Sequence, residues 1–204
     1  MKVPTTILAI ETAVGGGSVS LLRNDGCDVD TLEGVSRAEE LLIGIDRLLA
    51  KCDTSRDAID TIAVSIGPGS FTGIRIGIAT AIGLRSSLSA DCVGVSAFDA
   101  ISLSCPDDDV VAVLPLGRGH FAFQEFCRDN PSRHPKVVNE GELIETFGHR
   151  SDIKALVSTG GGWTPPENFT VCTEPLSTLI GRCTLAGGGT EEIRPLYLRN
   201  QGQQ

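Results

Sequence analysis

Aromatic residues and positive charge are both scarce in this sequence. Aromatic residues make up only 4% of the 204 residues, and 17 Lys and Arg face 26 Asp and Glu, which gives a net charge of −9. Proteins that bind duplexes directly need clustered cations, and proteins that bind single strands need aromatic stacking platforms. We therefore expect that any contact with nucleic acid depends on a partner protein.

Targeting signals and metal motifs are also missing. No run of about 18 apolar residues is present, and residues 1–6 lead into a short apolar run without the features of a signal peptide. The seven cysteines include no Cys-x-x-Cys, and the three histidines include no His-x-x-x-His. We expect a cytoplasmic protein with reduced thiols, no membrane span and no metal ligands.

Glycine is what the sequence has in excess. It occupies 24 of the 204 positions, which is about 12% against an average of about 7%. The glycines follow no collagen period, so we expect many of them where the backbone turns with positive φ or approaches another group closely. A composition of 41% hydrophobic and 21% charged residues is otherwise ordinary for a folded domain.

The first half of the chain has the pattern βββαβαβα, which predicts a mixed α/β sheet. A Ser-x-x-Glu capping box at Ser36 precedes the first amphipathic helix. The predicted strands and helices are strands 7–10, 18–22 and 27–32, helix 37–51, strand 61–66, helix 74–89, strand 92–95 and a short helix ending near residue 104.

The second half repeats this order in a shorter form. Residues 105–109, a Cys-Pro-Asp-Asp-Asp cluster, are the best domain boundary. Beyond it we predict strands 110–116, 121–126 and 136–138, a short helix from residue 139, strand 153–158 and a last helix at 175–185. The prediction is therefore two similar α/β lobes, residues 1–104 and a reduced lobe at 105–204.

Two loops are candidates for holding an anion or a cation. Residues 67–73 (GPGSFTG) form a glycine-rich loop between a strand and a helix, which suits an anion. The loop lacks the Walker lysine, and Pro68 and Thr72 replace the glycines of a nucleophile elbow. An anion cradle and a tight structural turn both remain open. Glu11, at the end of the first strand, either holds magnesium or is an exposed strand-end carboxylate.

The helix at 74–89 is apolar around its whole circumference, so it needs cover on more than one face. Gly73, Gly77 and Ala81 recur every four residues and form a track along which another helix can approach closely. One face lies on the sheet. The second face is covered either by the helix at 37–51 or by a partner subunit.

Several segments together resemble the TsaB family, the dimerisation subunits of bacterial tRNA threonylcarbamoyladenosine synthesis, once grouped with glycoprotease-like (M22) peptidases. The GPGSFTG stretch is the most specific of them. The resemblance is close over residues 7–104 and loose over 105–204, apart from the C-terminal tail. The matching segments are residues 7–12, 38–42, 66–77, 93–96 and 195–199.

The resemblance implies a two-lobed actin-like ATPase (ribonuclease H-like) fold that has lost most of its own catalysis. Members pair with themselves or with the catalytic subunit TsaD through two helices of the N-terminal lobe, and they join the ATPase TsaE. The complex transfers a threonylcarbamoyl group to N6 of adenosine 37 in tRNA. The resemblance implies tRNA contact only through the complex and no cofactor of its own, with ATP and magnesium at most at the level of the complex.

Carried over to this sequence, the resemblance assigns the pairing helices to residues 37–51 and 74–89, and it assigns no catalytic residue and no metal ligand. The expected interface residues are Leu41, Ile45, Gly73, Ile74, Gly77, Ile78 and Ala81. The expected remnants of nucleotide-binding loops are Glu11, Thr12, Gly67, Gly69 and Ser70.

Three positions depart from the family pattern. The family usually has Asp at the position of Glu11 and His at the position of Arg37. It usually has an Asp-Ala-Arg loop where this chain has Leu116-Gly117-Arg118. The missing acid weakens any magnesium site in the second lobe. The main prediction is a scaffold subunit without intrinsic activity, and the alternative is an autonomous ATPase or phosphotransferase. A peptidase is disfavoured because no nucleophile–base pair is evident.

Overall fold

A computed structural model describes residues 6–23, 26–31, 38–105, 109–127, 134–150, 154–158 and 163–198. The predicted cap Ser36, Arg37 and most of the boundary cluster lie outside these residues. The strands are β1 (Ile7–Glu11), β2 (Ser18–Arg23), β3 (Gly26–Thr31), β4 (Thr61–Gly67), β5 (Asp91–Ser96), β6 (Val110–Gly117), β7 (His120–Phe126), β8 (Lys136–Asn139), β9 (Lys154–Ser158) and β10 (Phe169–Cys172). The helices are α1 (Ala38–Lys51), α2 (Phe71–Ser87), α3 (Ala97–Ser102), α4 (Glu140–Phe147) and α5 (Leu176–Leu185), with a 3₁₀ turn at Arg56–Ala58.

The strands form two five-stranded sheets of identical topology. The first has the order β3-β2-β1-β4-β5 and the second the order β8-β7-β6-β9-β10. In each sheet the first three strands along the chain are antiparallel, and the last two are added in parallel. This repeat confirms the predicted α/β fold with two ribonuclease H-like, actin-like halves.

Helices cover both faces of the first sheet. Leu8 lines a cavity between α1 and α2, whereas Ser20 and Leu22 contact α5. Leu8 is paired with Leu21, which lies between Ser20 and Leu22 on β2. Because neighbours along a strand point to opposite faces, α1 and α2 lie on one face and α5 on the other. This double cover explains why β1 is buried along its whole length.

The last helix, α5, packs on the first sheet although its residues lie in the second half of the chain. The Ser20 hydroxyl lies 2.6 Å from that of Ser177 and 3.1 Å from that of Thr178, so these buried hydroxyls satisfy one another. Gly181 provides the space that the Leu22 side chain fills. The domain boundary between residues 104 and 105 stays a prediction. Helix α5 lies beyond that boundary in the sequence and nevertheless covers the first sheet.

The second sheet contains one strand that the sequence analysis missed, β10, which pairs in parallel with β9. Its four residues are too short for a clear alternating pattern. This sheet also has five strands, so the second lobe is not reduced in its strands. Of the described helices, α4 packs on β7 and β8, and α3 packs on β6 and β9. None of the described helices is long and apolar enough to cross a bilayer.

The small-residue track of α2 faces the interior of the chain, which corrects the prediction that it meets another subunit. A Cβ at Gly73 would collide with the carbonyl of Thr12, and one at Gly77 would lie 2.5 Å from the Thr12 hydroxyl. The Thr12 hydroxyl donates to the Gly73 carbonyl at 2.7 Å. The track is therefore needed because α2 lies directly against the segment that follows β1.

The other predicted interface residues are also core residues, because α1 and α2 turn their most apolar sides towards the sheet. These side chains, all at most 8% exposed, are Leu41, Ile45, Ile74, Ile78 and Ala81. The two helices expose a different set, which we call the α1–α2 surface. It consists of Leu42 (44% exposed), Ile43 (63%), Phe71 (52%) and Ile82 (45%).

Two alanine substitutions on α2 test this orientation. Gly73→Ala should lower the free energy of unfolding by about 1–3 kcal/mol, because the new methyl group meets the backbone of Thr12. Gly83→Ala should raise it by about 0.5–1 kcal/mol, because a Cβ there meets nothing within 4 Å and alanine is the better helix former. Urea denaturation measures both changes. Equal effects at the two positions would contradict the placement of α2.

Candidate functional site

The candidate site lies where the segment after β1 meets the loop between β4 and α2. Strands β1 and β4 are parallel neighbours, so both end at the same edge of the first sheet. The backbone N–H of Ser70 donates to the carbonyl of Ala13 at 2.8 Å. This contact holds the two segments together. The five residues predicted to be nucleotide-loop remnants, Glu11, Thr12, Gly67, Gly69 and Ser70, all lie in these two segments.

Two glycines and a helix cap shape the loop before α2. Gly67 has a φ of 98° and Gly69 a φ of 156°, values that side-chain-bearing residues rarely adopt. The Gly67–Pro68 peptide bond is cis. Ser70 is the N-cap of α2, and its hydroxyl accepts the N–H of Gly73 at 3.2 Å. The loop is therefore a tight turn that delivers the chain directly into a capped helix.

Two glycines of this loop have no open space beside them. A Cβ on Gly69 would lie 2.5 Å from the carbonyl oxygen of Ala13, and the equivalent atom on Gly73 would meet Thr12. No ligand atom can enter on the side of either glycine where a Cβ would lie, and the Gly73 N–H is already bonded to the Ser70 hydroxyl. Of the two interpretations, an anion cradle and a tight structural turn, the geometry supports the tight turn. A nucleotide role for the five residues stays a prediction.

Glu11 is a buried carboxyl and not an exposed one, since only 1% of the residue is accessible. Its Oε1 accepts the backbone N–H groups of Ala13 and Val14. Burial raises the pKa of Glu11 to about 7, although these N–H groups and that of Thr12 lower it. Glu11 thus organises the turn after β1. Within the described part of the chain, no three His, Cys, Asp or Glu residues come together as metal ligands.

The turn between β6 and β7 is the second-lobe counterpart of the turn after β1. Gly117, Arg118 and Gly119 all have positive φ, and Arg118 and His120 are exposed. The His120 ring nitrogen Nδ1 lies 3.1 Å from the Arg118 carbonyl. Leu116 packs against the core of the protein. The turn thus presents a cation and a histidine at the surface.

The C-terminal segment, residues 190–198, lies along the beginning of α2. The N–H of Leu196 donates to the carbonyl of Ile66 at 2.7 Å. The Tyr197 ring lies 4.9 Å from that of Phe71, and its hydroxyl accepts from Nε of Arg75 at 3.1 Å. The Arg75 guanidinium also lies 3.7 Å from the centre of the Phe71 ring. The segment therefore fixes one end of the α1–α2 surface.

A groove runs between the two helices beside this surface. It encloses a cavity of about 160 Å³ with mainly apolar walls. Arg56 and Asp46, which also line the cavity, form an ion pair of 2.6 Å. Sequence reasoning assigned the buried side of each helix to the interface and missed the exposed side. The available signal was the position of Leu42 and Ile43, which directly follow the core residue Leu41 and so turn away from the sheet.

Comparison with known proteins places these features in a family context. The family model described as "TsaD: tRNA N6-adenosine threonylcarbamoyltransferase" matches residues 35–125. The tRNA threonylcarbamoyladenosine biosynthesis protein TsaB of Escherichia coli is 33% identical over 166 residues, which cover 77% of this chain and 71% of that protein. The protein of the same name from Haemophilus influenzae is 28% identical over 129 residues, 61% of this chain. The chain spans only 55% of that relative's length.

A solved structure extends the similarity over nearly the whole chain. YeaZ from Pseudomonas aeruginosa superposes with a TM-score of 0.68 and covers 95% of this chain and 100% of its own. The sequence identity is 22%, so this likeness bears on the fold alone. The two halves of the chain thus adopt an arrangement that is already known from experiment.

The burial of Glu11 predicts an inverse dependence of stability on pH. Between pH 4.5 and about 7 the native state keeps a proton that the unfolded state has released, so the free energy of unfolding falls as the pH rises. Glu11→Gln retains an acceptor for Ala13 and Val14 without a charge to bury. At pH 8 it should raise the free energy of unfolding by up to about 3 kcal/mol, and at pH 4 it should change little.

Urea denaturation between pH 4 and pH 8 measures this effect. Glu39→Gln, at the exposed beginning of α1, is the matched control and should leave the pH dependence of the wild type unchanged. The burial argument fails if Glu11→Gln destabilises the protein more at pH 8 than at pH 4.

Proposed function

Because this chain belongs to the TsaB family, we propose that it acts in the synthesis of threonylcarbamoyladenosine in tRNA. Its role there is that of a non-catalytic scaffold subunit. It pairs with a TsaD-type catalytic subunit and activates it. We place the protein in the cytoplasm, where tRNA is modified, and assign it no catalytic residue of its own.

The observation that carries this proposal is the α1–α2 surface. Four large apolar side chains on two adjacent helices are each between 44% and 63% exposed, although both helices already bury another apolar side on the sheet. Large apolar side chains left exposed on two neighbouring helices are typical of a protein–protein interface. A stable interface needs about 800 Å² from each partner, which two helices packed side by side can supply.

The extent of the family match favours a TsaD-type protein as the partner. The family model for that catalytic subunit spans residues 35–125, and this range includes both α1 and α2. A protein with the same helix pair can place its own two helices against these two. A second copy of this chain can use the same surface, so self-pairing and mixed pairing compete.

The remaining parts of the proposal rest on charge and on the family. With a net charge of −9, the chain is poorly suited to bind tRNA by itself, so tRNA contact belongs to the complex. Association with TsaE, and the use of ATP and magnesium by the complex, are proposed from family membership alone. The filled loop at Gly69 and Gly73 favours a scaffold over an autonomous ATPase.

Charge substitutions on the exposed surface test the pairing. Leu42→Glu and Ile82→Glu should each weaken binding to a TsaD-type subunit at least about tenfold, because each buries a carboxylate in an apolar contact. Leu185→Glu is the matched control, since Leu185 is 42% exposed on α5 and lies on the opposite face of the first sheet. Isothermal titration calorimetry measures the affinities, and thermal unfolding checks each fold.

Two outcomes would contradict the proposed pairing. Full affinity in both surface variants would show that the α1–α2 surface is not part of the interface. An equal loss in Leu185→Glu would show that the effect is not specific to this surface. Gly77 and Ala81 are unsuitable for this test, because they are buried and charged replacements there would disrupt the fold.

ATP turnover by the isolated chain separates the scaffold from the alternative enzyme. The scaffold proposal expects turnover no higher than that of a buffer blank, both for the wild type and for Glu11→Gln. Turnover that is robust in the wild type and absent in Glu11→Gln would favour the autonomous ATPase. A phosphate-release assay at saturating ATP and magnesium is sufficient.

A further inference from the structure

The Arg75 side chain on α2 is held in place by two aromatic residues. Its guanidinium lies 3.7 Å from the centre of the Phe71 ring, and its Nε donates to the Tyr197 hydroxyl at 3.1 Å. The two rings lie 4.9 Å apart, so they form one support for the guanidinium. Tyr197 is itself anchored, because the neighbouring N–H of Leu196 donates to the carbonyl of Ile66. Arg75 is therefore an ordered cation at an exposed position.

The terminal nitrogens of Arg75 are available for an anion. Nε uses one of the five N–H donors of a guanidinium, and the other four make no hydrogen bond within the part of the chain that the structure describes. Among the same residues Arg75 forms no ion pair, whereas Arg56, Arg182 and Arg194 each lie 2.6 Å from a carboxylate. A chain with a net charge of −9 thus leaves this cation without an acidic neighbour.

Arg75 lies on the same stripe of α2 as the exposed apolar side chains. Positions 71, 75 and 82 are spaced by four and seven residues, which places them within about 40° of one another around a helix. A partner that covers Phe71 and Ile82 therefore covers Arg75 as well. A charge that loses its water without gaining a counterion opposes binding strongly. The partner is thus required to supply an anion at this point.

We propose that Arg75 is the ionic contact of the α1–α2 surface and binds an Asp or Glu side chain of the TsaD-type subunit. This inference rests on the proposed pairing and adds the chemistry of one contact. A carboxylate fits because its two oxygens match the two terminal nitrogens of a guanidinium. Phe71 and Ile82 exclude water when the subunits meet, which strengthens the ion pair. Tyr197 is a positioning residue, since its hydroxyl holds Nε.

The surroundings of Arg75 favour a protein carboxylate over an RNA phosphate. RNA and DNA backbones are bound by clustered cations, because the phosphates follow one another along the strand. Arg85, ten residues further along the chain, is the only other Lys or Arg on α2. The side chains on the same stripe, Phe71 and Ile82, are apolar. A single cation in an apolar surface suits one carboxylate better than a row of phosphates.

Calorimetric titration of this chain with a TsaD-type subunit tests the contact. Arg75→Gln should weaken binding about tenfold and flatten the dependence of the affinity on NaCl concentration, because an ion pair is lost. Arg75→Lys should recover only part of the affinity, because lysine lacks the planar pair of terminal nitrogens. Arg182→Gln removes the same charge from α5, on the opposite face of the first sheet, and should bind like the wild type.

Tyr197→Phe tests the positioning role separately. It should weaken binding about two- to threefold, because the guanidinium loses the hydrogen bond that holds it. In the Arg75→Gln background the same substitution should have no further effect, because Tyr197 acts through Arg75. A residue that only supports the fold would weaken binding equally in both backgrounds. Thermal unfolding checks that every variant is folded.

The outcomes distinguish this inference from the proposed pairing. If Leu42→Glu loses affinity while Arg75→Gln keeps the affinity and salt dependence of the wild type, the pairing stands and the ionic contact is overturned. If neither variant weakens binding, both proposals are wrong. The ionic contact is also overturned if Arg182→Gln weakens binding equally. The same holds if Arg75→Gln weakens only self-association in sedimentation, or only tRNA retention in filter binding.

Discussion

The close approach of α2 to the segment after β1 is the contact on which the rest of this structure depends. Gly73 lies against the carbonyl of Thr12, and the Thr12 hydroxyl returns a hydrogen bond to the carbonyl of Gly73. Because only glycine fits there, α2 has a single rotational setting on the sheet. That setting buries Ile74 and Ala81 and leaves Phe71 and Ile82 exposed. The apolar surface assigned to a partner is therefore a consequence of the packing inside the chain.

The same contact determines how much space the glycine-rich loop before α2 has for an anion. The N–H groups of Ser70 and Gly73 are bonded to Ala13 and to the Ser70 hydroxyl, and atoms of Thr12 and Ala13 fill the space beside Gly69 and Gly73. Glu11 stabilises this arrangement, because its carboxyl accepts hydrogen bonds from the N–H groups of the following turn. The fold thus keeps the strand and loop order of an actin-like protein while its own atoms fill one of the loops.

The succession of strands and helices along the chain was largely predictable from sequence, because β1 and β4 are short apolar runs and the turns between strands carry glycine. The orientation of α2 was not. The sequence of a helix that is apolar all around does not indicate which side contacts the sheet. Gly73 and Gly77 were therefore as consistent with contact to another subunit as with contact inside the chain. The docking of α5 on the first sheet depends on the buried contact of Ser20 with Ser177, which no local pattern encodes.

Hydroxyl-radical footprinting of the protein with and without a TsaD-type subunit tests the central claim most directly, because it reports the accessibility of individual side chains. The account predicts that Leu42, Phe71 and Ile82 lose reactivity in the complex, while Leu103 and Leu185, which are 44% and 42% exposed elsewhere, keep theirs. Protection of Leu103 and Leu185 with no change on α1 and α2 would contradict it.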